Sequence, residues 1–243
     1  MKTITGKTVL ITGGTSGIGL ALARAFLREG ASVAICARSA AALEAFRQEH
    51  AGTLAIEADI TDLGAQRMLL DAVADRFGAL DILVNNAGRL VERDFANGQP
   101  SPEELADELA LNLVAPVQLT ALAAARWPAL DAVVIVSSGY ALVSPRRAPS
   151  YGAAKAGLHA FANGLRWQLE PKGTHVLEVL PPAVDTPATA HRAVKKVSAE
   201  EVAKATLVAL SKRQPTAFIG QTRLLPTMLR LAPKTIERMV AQT

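Results

Sequence analysis

At 243 residues, half of them hydrophobic and few aromatic, the chain suits one large α/β domain with an Ala, Val, Leu and Ile core, and excludes a disordered segment. Its single cysteine, Cys36, excludes an internal disulfide. The net charge of +4 is mild but uneven, with 10 Lys+Arg against 3 Asp+Glu from His191 onward and 16 against 19 before it; no aromatic residues are interleaved with the basic ones, so solvated helix faces are the favoured reading over a nucleic-acid platform.

The segment Met1 to Val9 carries neither a long apolar stretch nor a small-residue cleavage site, which points to the cytoplasm. Lys7 to Thr12 reads as a short buried strand, followed at once by Gly13-Gly-Thr-Ser-Gly-Ile-Gly19 and a helical pattern through Leu22, Ala23, Phe26 and Leu27. Strand, glycine turn, helix is an arrangement that binds phosphate: glycines admit a pyrophosphate to the backbone, and the helix N-terminus presents free N–H groups and a partial positive charge. The spacing here is Gly-x-x-x-Gly-x-Gly rather than the usual Gly-x-Gly-x-x-Gly of dinucleotide sites.

Gly30 is expected to cap that helix, and Ala31 to Ala37 to form the second strand, with Cys36 as a buried structural thiol. Arg38 follows directly. In a dinucleotide fold an acid at this strand end binds the ribose 2′-hydroxyl of NAD, whereas an arginine suits a 2′-phosphate; Ala37-Arg38 contains no acid, so NADP is favoured over NAD. Ser39 is the expected N-cap of a helix from Ala40 to His50, with His50 serving the helix dipole. Thr53 to Ala58 is a third strand ending in Asp59-Ile60, Asp62 opens a helix to Phe77-Gly78, and Asp81 to Val84 is a fourth strand running into Asn85-Asn-Ala-Gly88.

A long helical region covers Pro102 to Arg126, with Asn112, a poor helix former, set among apolar neighbours. Ala132 to Val136 is the fifth strand, and Ser137-Ser138 lies at its C-terminal end, where ligands bind in such sheets. The loop Gly139 to Pro149 should wall one side of a pocket; its Arg146 and Arg147 could meet an acidic substrate, but a solvated loop tip is the favoured reading. In Ser150-Tyr-Gly-Ala-Ala-Lys155 a tyrosine and a lysine stand one helical turn apart, and an ammonium beside a phenol favours the phenolate and makes a usable acid or base. The same helix continues through Leu158, Phe161, Leu165 and Leu169, with His159 expected to pack or to face a partner. Val176 to Leu180 is the sixth strand, followed by Pro181-Pro-Ala-Val-Asp-Thr186 and a loop from Pro187 to Val197 in which His191 reads as exposed. Ser198 caps a further helix, with Glu201 at the capping-box position, and Thr216 to Gly220 should be the seventh strand. Beyond it, Leu224, Leu225, Met228, Leu231, Ile236, Met239 and Val240 sit among basic residues; the tail is expected to pack on its own subunit or a partner, with membrane contact the lesser reading.

Alternating strands and helices predict a doubly wound parallel sheet with helices on both faces, in one domain spanning 1–243. Thr12-Gly-x-x-x-Gly-x-Gly19, Asn85-Asn-Ala-Gly88 and Tyr151-x-x-x-Lys155, in that order and spacing, resemble the compact short-chain dehydrogenase/reductase family over nearly the whole chain. The resemblance implies a seven-stranded Rossmann-like sheet of order 3-2-1-4-5-6-7 and a homodimer or homotetramer. It implies Ser138 holding the substrate oxygen, Tyr151 as proton donor, Lys155 depressing the tyrosine pKa and holding the nicotinamide ribose, and Asn112 completing a proton relay. On the cofactor side it implies contacts from Gly13, Thr15, Ser16, Gly17, Ile18 and Gly19 in the turn. Asp59 and Ile60 would meet the adenine, Asn86, Ala87 and Gly88 the adenosine half, and Pro181, Val184 and Thr186 the carboxamide and phosphate. Pro182 stands where the family usually has glycine, removing an N–H and fixing φ; the double proline resembles a subgroup of bacterial oxidoreductases related to a lipoteichoic-acid D-alanylation operon protein. The implied activity is hydride transfer between NADP(H) and a carbonyl or secondary alcohol; the alternative is a non-catalytic NADP-binding sensor or scaffold.

Overall fold

The computed structural model describes residues 3–98, 100–190 and 194–242. In chain order the elements are β1 (Thr8–Thr12), α1 (Gly17–Arg28), β2 (Ser32–Ala37), α2 (Ala40–Glu49), β3 (Leu54–Glu57), α3 (Leu63–Phe77), β4 (Ile82–Asn85), α4 (Pro102–Leu109), α5 (Ala115–Arg126), β5 (Ala132–Val136) and α6 (Pro149–Leu169). They continue with β6 (His175–Leu180), β7 (Val184–Asp185), β8 (Val197–Ser198), α7 (Ala199–Ser211), β9 (Thr216–Phe218), α8 (Leu225–Leu231) and α9 (Pro233–Ala241).

Seven strands pair in parallel in the order β3-β2-β1-β4-β5-β6-β9, so the strand expected as the seventh is β9, at the far edge; β7 and β8 form a separate two-stranded ribbon. The continuous apolar runs of β1 and β5 are buried throughout, as a sheet covered on both faces requires. Alternation sorts their side chains: Val9 and Ile11 join Leu22, Phe26, Leu43, Phe46 and Val202 from α1, α2 and α7, while Leu10 joins Leu69, Leu119 and Leu158 from α3, α5 and α6. Each crossover therefore sends a helix to one face or the other, and every strand points its C-terminal end to the same edge.

Local signals decide the helix ends. Ser39, Asp62 and Ser198 accept from the backbone N–H of Ala42, Ala65 and Glu201 as N-caps. Gly30, at φ +79°, lies one residue beyond the C-cap Glu29 and takes the left-handed position expected there. His50 caps α2, its ring tilted against that of Phe46 with the centroids 4.7 Å apart. The long helix is not uniform: between α4 and α5, Ala110–Val114 is a π turn with Asn112 buried inside it. By length and composition the run Pro102–Arg126 could cross a membrane, with mean hydropathy 1.4, but here it packs against α3 and α6. The tail packs in part: Ile236 is buried, whereas Leu224, Leu231 and Met239 are exposed. His191 lies outside the described residues.

Candidate active site

A cleft of about 560 Å³ opens along the C-terminal edge of the sheet. One end is the turn after β1. Gly13 and Gly17 take left-handed φ values of +67° and +51°, and Gly13 N and Gly14 N donate to Cys36 O, which pins the turn to β2. Ser16 caps α1 without spending its side chain, so the first-turn amides of that helix keep their capacity for an anion. Thr15, Ser16, Ile18, Arg38, Asp59 and Ile60 line this end. Asp59 accepts from both the amide and the hydroxyl of Thr61, and the amide bond above all holds its carboxyl below the usual range, with Arg38 adding to the effect. Of the turn residues named from the sequence, Gly19 does not line the cleft; it faces back onto Gly13 O and the Asn86 side chain.

The middle of the cleft is built from the end of β4. Asn86, read as a cofactor contact, lines the cleft, but its side-chain amide is committed elsewhere: Nδ2 donates to Thr12 O at 2.8 Å and to Gly13 O at 3.3 Å. The Thr12 hydroxyl in turn accepts from the amides of Asn86 and Ala87, both at 3.0 Å. This reciprocal clasp locks the β4 end to the glycine turn. Thr12 was part of the recognised motif, but its hydroxyl role was visible only once the two strands were placed side by side.

At the far end stand the chemical groups. α6 carries Tyr151 and Lys155, both lining the cleft with Pro181, Val184 and Thr186. The Tyr151 phenol is pushed well above its ordinary value by burial, with the Tyr140 phenol and Glu108 adding, while a hydrogen bond with Ser138 opposes the rise. Ser138 also accepts from Tyr140 N at 3.1 Å. It does not itself line the cleft, whereas the neighbouring Ser137, buried with its hydroxyl unpartnered among the described residues, does.

Lys155 lies differently from the sequence expectation. Its ammonium is 5.6 Å from the Tyr151 ring centroid and donates to Val136 O at 3.0 Å, and the phenol is raised rather than lowered. Burial brings the lysine down to about 8, against the carboxylate of Glu178. Asn112 lies outside the cleft lining. Its Oδ1 accepts from Arg89 N and its Nδ2 donates to Arg89 O and Glu108 O, so the amide braces the chain just after Gly88. Gly88 separates the two groups: a Cβ there would sit 2.8 Å from Asn112 Oδ1 and 3.5 Å from Lys155 Nζ.

Several residues that sequence reasoning did not single out belong to this end. Arg89, Leu90, Tyr140 and Thr189 line it, and Tyr140 meets the Tyr151 ring edge-on at 6.5 Å. Arg147, read as a solvated tip, is half-buried: it pairs with Glu92, donates to the Tyr140 hydroxyl and accepts Arg93 N at its carbonyl, tying the two loops together. Glu108 is wholly buried between Arg93 at 3.2 Å and Ser150 at 2.8 Å. Nothing in the local sequence marks Glu108 as buried, because it lies on the polar part of α4 until α6 covers it.

The fold and this arrangement define a short-chain dehydrogenase: the family model described as short chain dehydrogenase matches residues 7–196, and the chain belongs to that family. Among its relatives, the uncharacterized oxidoreductase DltE of Bacillus subtilis is 40% identical over 185 residues, covering 75% of this chain and 73% of the relative. The ketoacyl reductase HetN of a Nostoc species is 28% identical over 261 residues, covering 98% of this chain and 90% of its own length. Among solved structures, a short chain dehydrogenase from Burkholderia cenocepacia in complex with NADP superposes with a TM-score of 0.85 over 98% of both chains at 24% identity. A 3-ketoacyl-(acyl-carrier-protein) reductase from Brucella melitensis complexed with NADH gives 0.78 over 88% of this chain and 94% of that one, at 25% identity.

Proposed function

We propose that this protein transfers a hydride reversibly between NADP(H) and a carbonyl or secondary alcohol. The observation that carries the reading is one cleft with an anion-receptive helix terminus at one end and the Tyr151 and Lys155 side chains lining the other, with Ser138, outside that lining, bonded to the Tyr151 phenol. The residues present fit a nicotinamide dinucleotide: the left-handed Gly13 and Gly17 open the turn to a diphosphate, and Arg38, with no acid in Ala37-Arg38, suits a 2′-phosphate. The bound cofactor supplies the hydride, and the protein's part is to orient and to manage a proton.

Tyr151 carries its proton at neutral pH and would give it to a substrate oxygen during reduction; because burial raises the phenol, the positive charge of Lys155 and of the bound cofactor would have to favour the phenolate as the proton leaves. Ser138, already bonded to that phenol, would present its hydroxyl to the same oxygen and stabilise developing alkoxide. Lys155, anchored on Val136 O, would hold the ribose and supply positive charge, and Asn112 would keep the Gly88–Arg89 wall in place as one station of the proton relay. The double proline leaves Pro182 without an amide to offer at the nicotinamide end, so Val184 and Thr186 would carry that contact.

The test is NADPH consumption across a carbonyl panel with wild type and Tyr151→Phe. Turnover lowered by about 10²- to 10⁴-fold in the variant, with NADPH binding retained, is the expected result. NADPH binding without turnover of any carbonyl or alcohol by the wild type would overturn the reading in favour of a cofactor-binding sensor.

A further inference from the structure

The catalytic helix carries a polar stripe that the reaction above does not use. Lys155, His159, Asn163 and Arg166 lie at helical spacing along one face of α6; His159 and Arg166 reach β6, at Glu178 and Val176 O, and Lys155 reaches the end of β5 beside it. Opposite them, Glu178 stands in the middle of an otherwise apolar strand, 0% exposed, paired in register with Ile135 on one side and Thr216 on the other. A buried carboxylate in the centre of a sheet is costly unless partnered. Its Oε2 lies 2.7 Å from His159 Nδ1, while Oε1 has no hydrogen-bond partner among the described residues.

The stripe fixes the protonation pattern. Arg166 has only donors, and its Nη1 meets Asn163 Oδ1 at 2.8 Å, so the Asn163 oxygen is the atom on that side. Asn163 Nδ2 must then face His159 Nε2, at 3.1 Å, and a nitrogen facing an amide donor has to accept. His159 is thereby neutral, protonated on Nδ1, and donates to Glu178. The imidazole brings no positive charge of its own, and the uncommitted negative charge of Glu178 is left for the cation one turn along the helix, Lys155.

We propose that Glu178, seated by His159, is the counter-charge of Lys155: a positioning residue that keeps the lysine an ammonium inside the protein. Its contribution to turnover rests on the hydride-transfer reading; the electrostatic pairing does not. Lys155 is 3% exposed; its ammonium lies over the Tyr151 ring and on the Val136 carbonyl of β5, whose register partner on β6 is Val179, the residue after Glu178, and the Glu178 charge favours the protonated lysine. Glu178 meets His159 from α6, with Lys155 one turn along that helix and beyond ion-pair distance and Arg166 held off behind Asn163, and its neighbours on β5 and β9 are the uncharged Ile135 and Thr216. Glu178 is therefore the one anion among the described residues facing the lysine across the α6–β6 contact, and the cost of burying it has a function.

The test is NMR titration of full-length protein carrying ¹³Cε-labelled lysine, with the Lys155 signal assigned by its loss in Lys155→Met. Wild type should titrate at about 8. Glu178→Gln, close in shape but uncharged, should lower that midpoint by about one pH unit or more, so that the ammonium loses its proton about tenfold more readily. Glu178→Asp, which keeps the charge but withdraws it by one methylene, should give a smaller shift in the same direction and serves as the readout if the glutamine variant does not fold. The alkaline limb of carbonyl reduction should move with the NMR midpoint. A midpoint at the wild-type value in either variant, or an aspartate shift as large as that of glutamine, overturns the proposal. A wild type that turns over no carbonyl while the midpoints move as stated would sink the hydride-transfer reading and leave the pairing standing.

Discussion

Two glycine-to-alanine substitutions should move stability in opposite directions. Gly19 has no left-handed φ, so its reason is space: a Cβ there would lie 2.1 Å from Gly13 O and 2.5 Å from Asn86 Nδ2. The first neighbour is backbone, held by the bonds of Gly13 N and Gly14 N to Cys36 O, and the second belongs to the clasp that donates to Thr12 O and Gly13 O. Relief requires α1 to move away from β1 and breaks the weaker Asn86 bond. Overpacking costs about 1–3 kcal/mol and a lost bond about 1 kcal/mol, so Gly19→Ala should destabilise by about 2–4 kcal/mol. With an unfolding entropy of about 2.1 cal/mol/K per residue, that lowers Tm by about 4–8 °C. Gly164, exposed in the interior of α6, has nothing within 4 Å of its added Cβ, so Gly164→Ala should stabilise by about 0.5–1 kcal/mol through helix propensity. Differential scanning calorimetry of the two variants and wild type reads both effects. A Gly19→Ala protein as stable as wild type, or a Gly164→Ala protein less stable, would refute the space argument.

Arg38→Ala should weaken NADPH about 10- to 100-fold and leave NADH unchanged, since a charge-assisted bond to phosphate is worth about 1.5–3 kcal/mol; nicotinamide fluorescence titrations decide it, and equal losses for both cofactors would remove Arg38 from the 2′-phosphate. Glu108→Ala leaves Arg93 with one carboxylate partner and Ser150 with none, and should cost about 3–5 kcal/mol in urea unfolding. The same change removes a charge that raises the Tyr151 phenol, so the phenol's titration should move down. Burial, with Arg213 adding, lowers the His175 imidazole to about 4, below its ordinary 6.5. Because the folded value is the depressed one, its stability contribution is present above pH 6.5 and is lost as the pH falls toward 4. The loss should amount to about 1–3 kcal/mol, and His175→Gln should flatten that slope in pH-dependent unfolding.

How much of this was legible beforehand differs from residue to residue. Tyr151 and Lys155 share a helix, so their spacing alone places them one turn apart, and the glycine turn, the caps Ser39, Asp62 and Ser198, and the edge position of Thr216–Phe218 follow from local chemistry or from the family pattern. Asn112 was visible as a residue out of place in an apolar helix, but not as the centre of a π turn, because a π turn depends on what the extra residue can bond, here Arg89 and Glu108. Arg147 looked like any loop arginine until Glu92, Tyr140 and Arg93 came to meet it.

By itself the amino-acid order determined the fold class, the strand sequence and the identity of the motif residues, because these rest on periodicities of two and of 3.6 and on interactions within a few residues. Only the tertiary structure decided which carboxylates are buried, that the ammonium of Lys155 rests on Val136 O rather than against the phenol, and that Glu178 lies under α6 with His159 between it and Asn163. The physical reason is that alternation along a strand tells which side chains share a face and nothing of what covers that face. For Glu178 the cover is α6, the crossover helix between β5 and its own strand β6, and its charge acquires meaning only from that contact.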